Sequence, residues 1–195
     1  QTLTLSLALT STMQIVFLAA GRGTRIRPLS DTTPKPLLSV AGVPILERNL
    51  NELPPEIEEI VIVVGYLGEQ IKHRFGKSFA GRPVSYVEQT GLRGTADALW
   101  RTRVLLHEES FLVGNGDDLY TNSDMSRLIA TEPPAILVAK LSDARRVGVL
   151  REKPEGFLAG IELPGTHAEG LVATGLYFLD KRIFEYKPAP IKDGA

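Results

Sequence analysis

Five short apolar runs mark the first two thirds of the chain: Gln14–Ala19, Glu59–Val64, Pro83–Glu88, Phe111–Gly114 and Ala135–Leu141. They are rich in Val, Ile, Leu and Phe, and each reads as a buried strand. Between them lie amphipathic stretches of helical spacing at Ile45–Leu53, Leu67–Phe75, Thr95–Leu106 and Asp124–Ala130. Strands alternating with helices predict an α/β three-layer sandwich, with a mainly parallel sheet covered on both faces and right-handed crossovers. After Leu141 the texture changes. Val147–Arg151, Phe157–Leu163 and Leu171–Leu179 read as three strands with little helix between them, separated by Pro154-Glu155-Gly156 and Pro164-Gly165. They predict a small antiparallel or mixed extension packed on the first sheet. No internal repeat or heptad seam is present, and Pro133-Pro134 and Pro188–Pro190 read as local breaks.

Composition narrows the picture. A chain of 195 residues, 43% hydrophobic and 23% charged, suits one domain with a sizeable core. A net charge of −1 provides no global field to recruit nucleic acid or an anionic membrane. No apolar run approaches the ~18 residues of a spanning helix. The absence of cysteine excludes disulfides and thiolate metal sites, and is compatible with a cytoplasmic enzyme. Residues 1–12 are Leu-, Ser- and Thr-rich but lack a basic start and a small-residue cleavage site, so they are expected to lie outside a core domain of residues 13–195.

Positive charge is local. After the first strand, residues 18–37 hold two glycines and the cations Arg22, Arg25, Arg27 and Lys35, opposed within the segment by Asp31. An amide-rich cationic loop at a strand end suits a polyphosphate. It is not a Walker A loop, which requires G-x-x-x-x-G-K-S/T. Nor is it a dinucleotide fingerprint: Ile26 stands where the third small residue belongs, and the second strand ends Val64-Gly65-Tyr66 without a ribose-binding acid.

The string from Gly21 to Leu37 does match G-x-G-T-R-x-x-P-L-S/T-x-x-x-P-K-P-L, and in this it resembles the sugar-1-phosphate nucleotidylyltransferases. The resemblance implies a Rossmann-like, nucleotide-diphospho-sugar transferase fold and a Mg²⁺-dependent reaction. A nucleotidyl group would pass from a nucleoside triphosphate, UTP or dTTP, to a sugar-1-phosphate such as glucose-1-phosphate. It also implies that Arg25 holds the triphosphate, that Lys35 contacts phosphate at the reacting centre, and that Leu18, Ala19, Ala20, Gly21, Gly23 and Thr24 lie against the nucleotide. A second segment, Glu88 to Ala98, resembles the family's glutamine followed by G-T-A-x-A. There Gln89 would read a pyrimidine edge, with Gly94 and Thr95 completing the pocket. Taken by itself, the Thr95 hydroxyl also reads as a helix N-cap.

A third segment, Phe111 to Leu119, delivers Asp117 and Asp118 at a strand's C-terminal end, where open α/β sheets bind ligands. By resemblance Asp117 is the Mg²⁺ ligand, while Asp118 is expected to cap the next turn or face water. On the sugar side Gly148 and Glu162 align with the family's sugar-binding glycine and glutamate. Val147 then replaces an aromatic residue and Leu163 a phosphate-contacting lysine, while Glu152–Pro154 reads as a hairpin turn. The family's second metal-binding aspartate has no persuasive counterpart in Asp180 or Asp193, so the domain is expected to be truncated at its C-terminus. Two alternatives stay open: a mannose-1-phosphate guanylyltransferase, and a non-catalytic nucleotide-binding module. A homo-oligomer is compatible with either. His73, His107 and His167 read as surface residues, and Trp100 as packing.

Overall fold

A computed structural model describes residues 12–91, 93–165 and 167–189. Apart from Thr12, the extension expected at the start therefore lies outside the described residues, as does Asp193. The strands in chain order are β1 (Met13–Ala19), β2 (Ser39–Val40), β3 (Val43–Pro44), β4 (Ile57–Val64), β5 (Ser78–Phe79), β6 (Arg82–Glu88), β7 (Ser110–Asn115), β8 (Ala135–Leu141), β9 (Val149–Glu152), β10 (Leu158–Glu162) and β11 (Gly170–Asp180). The α-helices are α1 (Ile45–Asn51), α2 (Gly68–Phe75), α3 (Gly94–Arg101) and α4 (Asn122–Ile129).

Seven strands form one sheet in the order β5-β6-β4-β1-β7-β11-β8. The β6, β4, β1 and β7 strands run parallel, with Val16 on β1 opposite Val61 on β4 and Val113 on β7. Successive side chains alternate between faces. Ile15 and Phe17 on β1, with Ile60 and Ile62 on β4, enter a core closed by Leu46, Leu50, Ile71, Phe75, Met125 and Leu128 of α1, α2 and α4. Val16, Val61, Val63, Phe111 and Val113 face the other way, against Ala98 of α3 and the short helical turn carrying Ile183 and Phe184. The sheet is therefore covered on both faces, and β1 is buried along nearly its whole length. Trp100 packs edge-to-face on Phe184, their ring centroids 5.9 Å apart.

Two features depart from expectation. The last strand does not belong to the extension: β11 is inserted antiparallel in the main sheet, between β7 and β8. Its residues after the bulge are mostly apolar on both sides, and a strand buried on both faces is stable in the middle of a sheet. Of those three strands only β9 and β10 form a hairpin apart from the main sheet, closed by the turn at Lys153 to Phe157, where Lys153 N–H donates to Phe157 O at 2.8 Å; β2 and β3 form a second small hairpin. The second departure is at α3. Its N-cap position is Arg93, with no side-chain capping bond, so the Thr95 hydroxyl is not the cap. Gly94 starts the helix at φ +84°, which brings Thr95 one position too far into the first turn to reach back.

Among the described residues no helix is long and apolar enough to cross a membrane.

Candidate nucleotide site

The loops that follow β1 and β7 meet where the order of the sheet reverses direction, at the C-terminal ends of both strands. Ligands of open α/β sheets bind at such a place. The contact is close: Gly116 N–H donates to Leu18 O at 2.9 Å, and a β-carbon on Gly116 would lie 3.1 Å from Ala19 Cβ. Similarly, a β-carbon on Gly65 would lie 2.8 Å from Ala20 O. The chain from Leu18 to Ala20 is thus clasped between the ends of β4 and β7.

Beyond it the cationic loop folds as short helical turns at Thr24–Ile26, Leu29–Asp31 and Lys35–Leu37. Gly23 sits at φ +62°, and its carbonyl accepts from the buried Ser30 Oγ at 2.8 Å and from Ile26 N–H at 3.1 Å. Gly21 has open space where a side chain would be. From the α2 side, Tyr66 Oη donates to Asp31 O at 2.9 Å and Gln70 Nε2 to Thr32 O at 2.9 Å. These bonds tie down the far half of the loop and leave the near half facing outward.

The four cations have different partners. Arg22 lies over the Tyr66 ring, 6.0 Å from its centroid. Arg27 pairs with Asp31 at 3.1 Å. Lys35 forms an ion pair with Asp117, bringing together two residues 82 positions apart. Arg25 is exposed and makes no hydrogen bond or ion pair with the described residues. One cation is therefore held against the predicted metal ligand, and another is available to an incoming anion.

The loop bearing Asp117 is anchored from below. Asn49 on α1 is wholly buried; its Nδ2 donates to Asp118 O at 2.8 Å and its Oδ1 accepts from Tyr120 N–H at 3.1 Å. Tyr120 Oη accepts from Asn115 N–H at 3.0 Å and donates to Thr174 O at 3.4 Å. Burial, reinforced by the negative charges of Asp118 and Asp117, raises the Tyr120 phenol far above its ordinary pKa, so it stays a donor. Burial, then Asp118, also raises Tyr177. The Asp118 carboxylate accepts from Asn115 Nδ2 at 2.9 Å and does not cap α4. That role belongs to Thr121, in a reciprocal capping box with Asp124. On β11, Gly175 at φ +82° lies directly against this loop: a β-carbon there would be 2.2 Å from Asn115 Nδ2 and 2.9 Å from Asp118 Oδ2. Asn49 and Tyr120 are supporting residues that the sequence reading missed. A buried Asn inside an apolar helix face is the signal that could have flagged the first.

At the end of β6, Gln89 lines a cleft of about 570 Å³ that runs along the end of β4 and the start of α2. Gln89 and Gly94 do come together: Gln89 Nε2 donates to Gly94 O at 3.0 Å. It also donates to Asp97 Oδ2 at 2.9 Å, and Arg101 Nε donates to the same oxygen at 2.8 Å. The Arg101 guanidinium holds Asp97 below the usual carboxylate range, with a smaller contribution from Gln89.

Gly148 and Glu162 also meet each other. A β-carbon on Gly148 would lie 2.8 Å from Ile161 Cγ2 and 3.2 Å from Glu162 O. The Glu162 carboxylate is engaged by Arg151 Nε at 3.3 Å and by His167. Among the described residues, no hydrogen bond or ion pair joins this pair to Lys35, Asp117 or Gln89. Leu163 is exposed.

Metal-binding capacity is sparse. Among the described residues no three His, Cys, Asp or Glu side chains are grouped to hold a metal. Mg²⁺ commonly takes one or two carboxylates, with phosphate oxygens and water supplying the rest. Asp117 fits as one protein ligand of a site that a triphosphate completes.

Residues 14–194 match the nucleotidyl transferase family, and the chain belongs to it. Its relatives are sugar-1-phosphate nucleotidyltransferases. The UTP–glucose-1-phosphate uridylyltransferase AglF of Haloferax volcanii is 33% identical over 181 residues, covering 88% of this chain and 74% of that protein. The D-glycero-alpha-D-manno-heptose 1-phosphate guanylyltransferase of Campylobacter jejuni is 29% identical, covering 88% and 78%. The bifunctional protein GlmU of Methanococcus aeolicus is 30% identical, but the chain spans only 41% of its length. Among solved structures, HddC from Yersinia pseudotuberculosis complexed with GMP-PN superposes with a TM-score of 0.76 at 24% identity, covering 91% of this chain and 81% of that one. This likeness establishes the fold.

Proposed function

We propose that the chain carries the triphosphate-activating centre of an enzyme that transfers a nucleotidyl group from UTP or dTTP to a sugar-1-phosphate, glucose-1-phosphate being favoured. A phosphate oxygen of the sugar phosphate attacks the α-phosphorus, the α–β phosphoanhydride bond breaks, and pyrophosphate leaves. The observation that carries this reading is the meeting of Lys35 with Asp117 at the ends of β1 and β7, beside a loop on which Arg25 makes no ion pair with the described residues.

Both reactants are anions, so their repulsion is the first obstacle. One opposite charge at 4 Å contributes about 4 kcal/mol at an effective dielectric of 20. Arg25, on the exposed half of the loop, can hold the triphosphate tail and stabilise the departing pyrophosphate. Lys35, ion-paired with Asp117, is the candidate to contact phosphate at the reacting centre. The backbone from Leu18 to Gly23 and the glycine-opened approach at Gly21 position the nucleotide, and positioning with electrostatics dominates this chemistry. Mg²⁺, when held by Asp117, would supply further neutralisation of the phosphate oxygens. Gly148 and Glu162 are the candidates for the sugar.

The test is pyrophosphate release by the full-length protein with Mg²⁺ and a matrix of UTP, dTTP and GTP against glucose-1-phosphate and mannose-1-phosphate. Release with UTP or dTTP is expected. A guanylyltransferase reading is favoured by the Campylobacter relative and predicts GTP instead. If the folded protein is stabilised by triphosphate yet releases no pyrophosphate with any pair, the chain is a binding module and the transferase reading fails.

A further inference from the structure

Gln89 lies at the end of β6 with only 8% of its surface exposed. Its amide orientation is set by chemistry. Both partners of Nε2, the Gly94 carbonyl and the Asp97 carboxylate, can only accept. A flipped amide would set oxygen against oxygen twice. Both hydrogens on Nε2 are therefore used, and Arg101 keeps Asp97 in place from the other side. The remaining capacity of the side chain is Oε1, which accepts nothing from the described residues. No buried side-chain nitrogen or oxygen lacks a partner among them, so Oε1 is accessible from outside. Next to it, Gly94 opens α3 with its carbonyl taken by Gln89. Its N–H, in the first turn, has no intrahelical acceptor.

We infer that Asp97 is a positioning residue for base selection. By pinning Gln89, it leaves one outward acceptor, Gln89 Oε1. An acceptor there complements a base that carries a ring N–H: uracil, thymine or guanine. Cytosine and adenine present a ring nitrogen acceptor instead and meet like with like. The inference rests on the proposed placement of the base at Gln89 and Gly94. It deepens that reading by making the accepted class uracil, thymine and guanine rather than pyrimidines.

Equilibrium binding of UTP, GTP, CTP and ATP in the presence of Mg²⁺, measured by calorimetry on the full-length protein, tests it without turnover or sugar phosphate. UTP and GTP should bind about 10- to 100-fold tighter than CTP and ATP, the effect of leaving polar groups mismatched. Asp97→Ala removes one of the two acceptors that prevent the flip, and the UTP-to-CTP ratio should fall about tenfold. Asp97→Asn can keep an oxygen where Oδ2 stands and should hold the ratio within about threefold of wild type. Gln89→Met removes the acceptor while leaving Asp97 on Arg101, and should bring the ratio near one. Equal binding of UTP and CTP by the wild type overturns the inference and leaves the transferase reading intact. So does an unchanged ratio in Asp97→Ala or, should that variant not fold, in Gln89→Met. Failure of all four triphosphates to bind overturns both.

Discussion

Asn49→Ala is the sharpest probe of how the helical layer holds the reacting centre. The side chain is fully buried and fastens the Asp117 loop through two backbone groups, the Asp118 carbonyl at 2.8 Å and the Tyr120 N–H at 3.1 Å. Truncation leaves both groups without a partner in a place that excludes water. Each orphaned group costs about 1–3 kcal/mol, so the pair sets the expected loss at about 2–6 kcal/mol before any contribution from the small cavity. Urea unfolding read by linear extrapolation gives the stability change directly. Pyrophosphate release, measured well below the unfolding midpoint, should fall with it, because the same two bonds hold the turn carrying Asp117. Asn49→Asp separates the two contacts: it still accepts from Tyr120 N–H but sets a carboxylate oxygen against the Asp118 carbonyl. It should therefore be no more stable than Asn49→Ala. A loss below about 0.5 kcal/mol for Asn49→Ala, the level of an ordinary surface substitution, would show that the loop holds itself and that this anchoring account is wrong.

Lys35→Ala should lower turnover by orders of magnitude while changing stability by about 1 kcal/mol or less, since the ion pair it breaks is partly solvated; an unchanged rate removes Lys35 from the chemistry. Gly175→Ala adds a β-carbon at φ +82° and 2.2 Å from Asn115 Nδ2, and should cost on the order of 2–4 kcal/mol in denaturant unfolding. A cost under about 1 kcal/mol would show that the strand shifts freely there. The Arg182 guanidinium holds Asp180 below the usual carboxylate range. A depressed acid contributes its stability fully above its unfolded value near 4, and loses it as the pH falls through the lower folded value. Wild-type stability should therefore drop below about pH 4, with a shallower slope for Asp180→Asn. Identical slopes would refute the link.

Local signals carried much of the architecture. Apolar runs marked the strands β1, β4 and β7, because a strand buried on both faces writes itself as continuous Val, Ile, Leu and Phe; β6 and β8, only partly buried, were legible from shorter apolar stretches. The phosphate-type loop was equally legible, since its glycines, prolines and cations are contiguous. What escaped were pairings set by tertiary structure. Asp31 was the visible counterion within the loop, but Lys35 found Asp117 in the loop after β7, which becomes adjacent only once the sheet orders itself. Asn49 looked like an ordinary polar residue on a short helix until its neighbours were known. Thr95 had the composition of a cap, yet the left-handed conformation of Gly94 shifted the helix start by enough to defeat it. The insertion of β11 between β7 and β8 was likewise invisible, because strand order is not encoded in periodicity. The sugar-side residues Gly148 and Glu162 are together in space, as their alignment with one family feature implied.

The break in β11 also has a consequence for how such a protein can change. From Ala173 opposite Val138 to Tyr177 opposite Ile136, four steps on β11 are matched by two on β8. The ladder to β7 begins only at Leu176. Gly175 sits in that interval, so slack introduced upstream is absorbed before it reaches the pairing that carries Asn115 and Asp117. A change of length in the β9–β10 hairpin should therefore leave the pairing of Leu176 with Gly114 in register. One strand thus joins the side of the sheet that pairs with β8 to the side that pairs with β7 beside Asn115, with a glycine as the coupling.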